Sequence, residues 1–237
     1  MQDARRIPQI AGGFLVALIL ASPVFGQQDY VGRFDAFAGF TYLNSPHVSL
    51  AEKGFHLQAG VRVVRWLSLG FDYSRSTGDL TLTPNLLPDA LAAQLNGQIA
   101  ALKGAGQLPA SYALVVPVAS TTHTFAAGPQ VASHHWKLLT LFVRPSVGLI
   151  HEIAVPHPGD PFATQVVQNL APSGEKTDTV IFYGFGGGAD VNITKNFGIR
   201  IQGDFVRDHL FKDVLKDSRN TVRFSIGPTV QFGSNVK

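Results

Sequence analysis

Nine charged side chains lie inside stretches of alternating apolar and polar residues, where charges are unusual. They are five arginines and four aspartates: Arg33, Asp35, Arg62, Asp72, Arg144, Asp190, Arg200, Asp204 and Arg223. Opposite charges of this kind can pair with one another or line a polar conduit. Which of these roles they fill depends on the element that carries them.

Two histidine-containing segments are candidates for metal binding. His134 and His135 are adjacent in a predicted turn, an arrangement that seldom supplies two ligands to one metal. A second segment carries four possible ligands: His151, Glu152, His157 and Asp160. Three prolines make that segment stiff and irregular, so we expect a solvated loop there and no metal site.

Motifs for catalysis are missing from the sequence. It contains no Gly-x-Ser-x-Gly, no His-Glu-x-x-His and no phosphate-binding loop. His209 beside Asp208, with a serine or His56 across the mouth, could be assembled into a hydrolytic trio, but nothing in their spacing requires one. The sequence therefore predicts no enzyme, no metal and no cofactor.

The charges are carried by segments in which apolar and polar residues alternate. Near the end of the chain, Val222, Phe224 and Ile226 alternate with Arg223 and polar residues. Alternation of this kind predicts a β-strand with one apolar face. Eight such segments occur, at about 30–43, 54–64, 67–75, 122–133, 138–150, 180–191, 197–207 and 221–232.

These segments predict a transmembrane barrel. Each is close to the roughly 9–11 residues that a tilted membrane-spanning strand needs. With the register set by the aromatic and branched residues, all nine charges fall on the inward face. The fold class is therefore all-β: an eight-stranded antiparallel up-and-down transmembrane barrel, closed so that no backbone edge meets hydrocarbon.

The predicted connections alternate in length. Those after the second, fourth and sixth strands are short, and those after the first, third, fifth and seventh are long, as in barrels with periplasmic turns and extracellular loops. Apolar residues at helical spacing over 86–103, 162–170 and 210–215 predict short helices in three of the loops. The helices either pack together as a cap over the mouth or bind an external partner or the lipopolysaccharide surface.

Aromatic residues predict the two membrane interfaces. One group lies at the turn-side ends of the strands: Tyr30, Trp66, Trp136, Phe197 and Phe232. The other gathers toward the loop side: Tyr42, Phe55, Tyr73, Phe125, Tyr183, Phe205 and Phe224. Two aromatic belts separated by aliphatic residues are typical of a barrel exterior in lipid rather than in water.

The beginning of the chain predicts export. Arg5 and Arg6, an apolar stretch and small residues before Gly26 make residues 1–26 a cleaved signal peptide, followed by a barrel domain at 27–237. The predicted location is the cell outer membrane. Without its signal the chain is nearly neutral and has no basic run, so nucleic acid is not an expected partner.

The layout resembles the small OmpA-type outer-membrane β-barrel proteins. The resemblance rests on the signal segment, the eight alternating strands, the glycine-rich segment 183–188 and a last strand that ends at Phe232. It implies that the barrel-assembly machinery reads a C-terminal aromatic residue, whereas this chain continues for residues 233–237. It also implies outer-membrane lipid and lipopolysaccharide as partners, while no external partner can be named.

The inward charges are predicted to plug the lumen. Three cross-strand pairs are expected: Asp35 with Arg62, Asp190 with Arg200, and Asp204 with Arg223. Unpaired buried charges would be very costly, and an eight-stranded barrel is just wide enough for side chains to fill. The predicted role is structural or surface-interacting. A narrow porin-like pore, or a lipid-modifying or hydrolytic barrel enzyme, remains the alternative.

Overall fold

Eight antiparallel strands close into a barrel in the computed structural model, which describes residues 27–216 and 219–237. The predicted signal peptide lies outside the described residues. Neighbours in sequence are neighbours in the sheet, and β1 pairs with β8 to close it. The strands are β1 (Gly32–Ser45), β2 (Leu50–Val64), β3 (Leu67–Leu82), β4 (Val116–Ser133), β5 (Leu139–Pro156), β6 (Lys176–Asn192), β7 (Phe197–Asp208) and β8 (Arg219–Asn235). The predicted barrel fold is confirmed.

Side chains alternate between the two faces of this wall. In β8, Phe224 is 57% exposed on the exterior, and the adjacent Arg223 is 2% exposed on the inside. Large apolar side chains such as Leu69, Val147 and Ile201 are exposed in the same way on other strands. The exterior face of the wall is therefore apolar and its interior face is polar, the reverse of what a water-soluble barrel shows.

A bulge at the closing seam corrects one predicted luminal residue. Gly32 pairs with Asn235, whereas Phe34 pairs with Phe232, so the register between β1 and β8 shifts at Arg33. The extra residue lies in β8, where residues 233 and 234 face Arg33 alone and Gly233 has a φ of +90°, and it breaks the alternation of side chains at this seam. As a result Arg33 is exposed, and its prediction as part of the luminal ion pairs was wrong.

Two α-helices lie in the loops, α1 (Asp89–Gly104) and α2 (Pro161–Leu170). Single 3₁₀ turns occur at Pro46–Val48 and Pro84–Leu86. The predicted helix at 210–215 was wrong, because the described residues there form turns and Phe211 has a φ of +53° that no α-helix accommodates. Among the described residues, no helix is long and apolar enough to cross a bilayer.

The strands run further on the loop side than predicted. β1 and β2 stay paired up to Ser45 opposite Leu50, so their connection is only 46–49 and the prediction of a long first loop was wrong. β3 continues to Leu82, which pairs with Val116 of β4. The barrel wall therefore extends beyond its apolar exterior band and carries the loop helices above it.

Candidate functional site: the barrel lumen and its mouth

Eight charged side chains lie in the turn-side half and the middle of the described lumen, four arginines and four aspartates. They are Asp35, Arg62, Asp72, Arg144, Asp190, Arg200, Asp204 and Arg223, each at most 6% exposed. With Arg33 outside, these eight charges are four positive and four negative. This part of the lumen thus holds a dense but electrically balanced core.

The turn-side half of this core contains two pairs. Arg200 binds Asp190 through two parallel contacts, Nε to Oδ1 at 2.7 Å and Nη2 to Oδ2 at 2.9 Å. Arg62 Nη2 lies 3.8 Å from Asp35 Oδ2. The Arg200 guanidinium also sits 4.7 Å from the centre of the Phe142 ring. Forked contacts and ring stacking suit arginine, and lysine would reproduce neither.

Nearer the middle, two arginines and two aspartates share their charges. Arg223 contacts Asp204 at 3.0 Å, and Arg144 contacts Asp72 at 2.6 Å. The crossed distances are only slightly longer, 3.6 Å from Arg144 to Asp204 and 3.7 Å from Arg223 to Asp72. His56 Nε2 lies 3.7 Å from Asp72. Each aspartate therefore faces two arginines, and no pair in this cluster is independent of the other.

Amide and hydroxyl groups connect the two halves. Gln58 accepts from Arg200 Nη1 at 2.7 Å and donates to Gln202 at 3.0 Å. Gln202 in turn donates to Asp204 at 3.1 Å, and His56 Nδ1 is 2.9 Å from the Ser225 hydroxyl. These contacts form a continuous network from the turn side to the middle of the lumen.

The glycine-rich strand β6 makes room for this network. A Cβ atom on Gly186 would collide with the carboxylate of Asp204, and one on Gly188 would lie 2.8 Å from Phe142 Cζ. Side chains at these two positions would displace the residues that fill the lumen. The alternation of β6 places Gly186 and Gly188 on its inward face, and these contacts give the steric reason for glycine at both positions.

Two buried glutamates were missed by the sequence reading. Glu52 and Glu152 are fully buried at the loop side of the lumen. Ser120 donates to both, at 2.8 and 3.1 Å, and Thr122 donates to Glu52 at 2.9 Å. The sequence reading had assigned both to loops. The sequence did contain a signal for them, because the alternation of side chains places Glu52 on the same face of its strand as His56, and Glu152 on the same face as Arg144.

Above the glutamates, the inside of the wall becomes apolar. One cluster joins strand ends, both helices and the fourth loop: Leu87, Leu95, Ile99, Leu114, Val116, Val118, Ala163, Val166, Val167 and Val214. A second contains Ala126, Ile150, Phe182, Val206, Leu210 and Phe211. Leu210 is fully buried, so the fourth loop packs into the barrel opening.

Polar contacts tie this fourth loop to the rest of the mouth. The Phe211 N–H donates to Asp178 of β6 at 2.6 Å, and Lys176 contacts Asp213 at 2.6 Å. On the opposite side, the Lys216 N–H donates to the carbonyl of Leu86 at 3.0 Å. The loop therefore spans the opening from β6 to the segment that precedes α1.

A small apolar cavity of about 70 Å³ remains beneath this loop. Leu80, Val118, Val167 and Phe211 are among the residues that line it. Its surface is almost entirely apolar, although Glu152 and Lys176 are also among its lining residues. Beneath the fourth loop the mouth thus contains an apolar core.

The turn-side end is also closed by side chains. Gln28 Nε2 donates to the Trp136 carbonyl at 2.9 Å and to Thr140 at 2.8 Å, and Arg65 donates to the Gln28 carbonyl. His134 lies buried beneath this segment, while its neighbour His135 is exposed. Burial first, and then the charges of Arg62 and Arg65, lower the pKa of His134 to about 4.

The other histidine-containing candidates are separated. His151 points outward and Glu152 points inward, because they are adjacent in β5. His209 is exposed, whereas His56 is buried in the lumen, so the structure does not assemble a hydrolytic trio. Within the part of the chain that the structure describes, no three metal-binding side chains come close enough to hold an ion.

The closed barrel with a polar lumen and an apolar exterior places the chain in a known architectural class, the small eight-stranded barrels. Neisserial surface protein A has this fold: 84% of this chain and 96% of that protein align, with 14% identity and a TM-score of 0.50. The attachment invasion locus protein Ail of Yersinia pestis aligns with 11% identity over 85% and 99% of the two chains, at a TM-score of 0.48. OprG of Pseudomonas aeruginosa aligns with 8% identity over 88% and 100%, also at 0.48.

No protein-family model matches the sequence, and no curated protein sequence matches it. At sequence identities this low, the similarity to these proteins concerns the fold alone. The predicted similarity to small outer-membrane barrels is confirmed at that level.

Proposed function

We propose that this chain is an integral outer-membrane protein with a structural or surface-interacting role and no enzymatic activity. One observation carries the proposal: large apolar side chains are exposed all around the wall, while the charged side chains of the lumen are buried. In water such an exterior would drive aggregation. Against acyl chains it is stable, and a closed barrel satisfies every backbone group there.

The lumen of the proposed membrane protein is plugged. Its four arginines and four aspartates cancel, and the Arg200–Asp190 pair has two good hydrogen bonds. Separating such a pair would leave two desolvated charges, which is strongly unfavourable. A conducting path would require several of these contacts to break together. We therefore propose that the lumen is plugged, and a narrow pore is the alternative.

The helical loops face the outside of the cell in this proposal. The connections on the turn side are short, at 65–66, 134–138 and 193–196, and suit the periplasm. α1 and α2 pack into one apolar cluster with Val116 and Val118, which makes them a cap over the mouth. The polar outer surface of this cap is what an external partner would meet, and lipid and lipopolysaccharide surround the wall.

Planar-bilayer recording combined with cell fractionation tests the proposal. The exported protein should fractionate with the outer membrane and show no steady conductance. A variant with Arg144→Gln and Arg223→Gln should conduct, because the central aspartates lose both of their partners. A folded protein found among soluble periplasmic contents would overturn the membrane assignment. Steady conductance by the unaltered protein would overturn the plug and favour the pore.

Activity assays test the remaining alternative. The purified protein in liposomes should release no fatty acid from phospholipid and should cleave no peptide. Turnover that disappears in a His56→Gln or His209→Gln variant would contradict the proposal and favour the hydrolytic barrel.

A further inference from the structure

Three basic side chains stand side by side on the outside of the wall. Arg75 of β3 is directly opposite His123 of β4, which is directly opposite His151 of β5. All three residues belong to the outward set of their strands. We call this set the basic row. Neither its charge nor its arrangement contributes to the lumen or the mouth.

The basic row lies at the upper limit of the apolar exterior. The next outward residues toward the turn side are aromatic: Tyr73 packs against Phe125 with ring centres 4.9 Å apart, and also against Phe55, which is opposite Arg75, at 5.8 Å. Toward the loops, the outward residues opposite one another become Thr77 and Thr121. An aromatic layer followed by polar residues marks a membrane interface, where lipid head groups lie.

Each histidine is held so that one ring nitrogen remains available. His123 Nδ1 is 2.9 Å from the Tyr73 hydroxyl, and His151 Nδ1 is 2.7 Å from the Thr179 hydroxyl. When these hydroxyls donate to Nδ1, the proton of each neutral ring lies on Nε2 and becomes a free donor. The two ring centres are 6.3 Å apart, close enough for both to reach one tetrahedral anion.

No carboxylate neutralises the basic row. Among the described residues, none of its three members forms an ion pair with an aspartate or glutamate. The acidic residues that adjoin the row in β3, β5 and β6 are Asp72, Glu152 and Asp178, which belong to the inward faces, and Asp79, which lies on the outer face of β3 four residues beyond Arg75. An arginine and two imidazole donors with no acidic partner form a natural site for phosphate.

We infer that the basic row binds the phosphate group of a lipid in the outer leaflet. Arg75 supplies the fixed charge, and His123 and His151 supply donors from the adjoining strands. Tyr73 acts as a positioning residue, because its hydroxyl holds the His123 ring. Phe125 lies beneath the row, Phe55 lies beside Arg75, and both would contact the acyl chains of the same lipid.

This inference rests on the proposed membrane location, and its test separates the two. The purified exported protein is inserted into phosphatidylcholine nanodiscs containing either diphosphoryl lipid A or its dephosphorylated form. Insertion is verified by the folded electrophoretic mobility of unheated samples. Lipid A binding is then measured by titration. The unaltered protein should prefer the diphosphoryl form by at least tenfold.

Substitution of the basic row should remove this preference. Arg75→Gln should weaken binding of diphosphoryl lipid A about tenfold, since a hydrogen bond to a charged group contributes roughly that factor. Arg207→Gln is the matched control: it removes the same charge from the exterior of β7, opposite Tyr183 and outside the row. A Thr77→Lys variant, which adds a charge beside the row, should strengthen binding several-fold.

The outcomes are distinct. Failure of every protein to insert would overturn the proposed function. Normal insertion with equal binding by Arg75→Gln, Arg207→Gln and the unaltered protein would overturn the lipid site alone. Competition by millimolar inorganic phosphate with no dependence on lipid A would show a site for free phosphate and would likewise overturn the lipid assignment.

Discussion

The lumen and the mouth are enclosed by the same strands but have opposite chemistry. In the middle of the wall, outward residues such as Val147 are apolar, and inward residues such as Arg144 are charged. Toward the loops in β3 and β4, the outward residues include Thr77 and Thr121, and the inward residues include Leu80 and Val118. The alternation of side chains continues without interruption, while the identity of the apolar face reverses.

This reversal indicates what each face touches. A strand buries its apolar side against whatever excludes water, whether acyl chains outside or helices inside. The reversal therefore marks the height at which the wall leaves the proposed membrane. Below it, the core is polar and held by ion pairs; above it, the core is apolar and held by packing. Four substitutions test this contrast.

The largest effect is expected from breaking a buried pair in the lumen. Arg200→Met should lower the free energy of unfolding by about 4 kcal/mol, because Asp190 is left as an uncompensated buried charge. The double variant Arg200→Met with Asp190→Leu should recover much of that loss. Urea unfolding in detergent micelles, followed by tryptophan fluorescence, measures both. Equal stability of the two variants would contradict a polar core held by pairing.

An arginine placed on the exterior tests the reversal directly. Val147→Arg puts a charge on the apolar band and should lower the free energy of unfolding in lipid vesicles by about 2–4 kcal/mol. Thr121→Arg is the matched control on the neighbouring strand β4, on the same outer face above the reversal, and should change stability by less than about 0.5 kcal/mol. If both cost the same, the exterior has no membrane boundary between these positions.

Acid should weaken the turn-side end of the polar core. The folded-state pKa of His134 is lowered to about 4, below the ordinary value of 6.5, so the unfolded chain takes up this proton first. The stabilisation from His134 is thus present above about pH 6.5 and is lost as the pH falls toward 4, by up to about 3 kcal/mol. His134→Gln should flatten that part of the pH profile of unfolding. An unchanged slope would exclude His134 as its source.

The smallest effect is expected in the mouth. Asp160 caps α2 by accepting from the Ala163 N–H at 2.8 Å, and it also accepts from the Tyr112 hydroxyl at 2.9 Å. Asp160→Ala should destabilise α2 by about 1 kcal/mol. Faster hydrogen exchange of the α2 amides, with unchanged exchange in β4 and β5, would show this local loss of stability. Asp160→Asn keeps a capping oxygen and is the control.

The sequence predicted the barrel because alternation over eight segments is a strong signal. Register followed from residues such as Phe224 and Leu69, and three luminal pairs were named from it. The sequence could not reveal the bulge opposite Arg33, since a single extra residue in one strand leaves no trace in the alternation of apolar and polar residues. Bulges depend on the pairing of β1 with β8, which is a property of the closed sheet.

The loop side was predicted less well, for a different reason. The sequence reading ended each strand where its outward apolar residues ended, so Glu52, Glu152 and the basic row fell outside the predicted strands or at their ends. The strands continue because their inward residues become the apolar ones. The fourth loop repeats helical spacing at Leu210 and Val214, but its contact with Asp178 fixes a turn instead.

The equal number of arginines and aspartates in the lumen has an electrical consequence. An applied voltage does work on a net charge, about 2.3 kcal/mol per elementary charge per 100 mV, and a group of charges that sums to zero is not driven as a unit. The field acts on this group only by pulling partners such as Arg200 and Asp190 apart. These eight side chains should therefore keep their positions at either polarity.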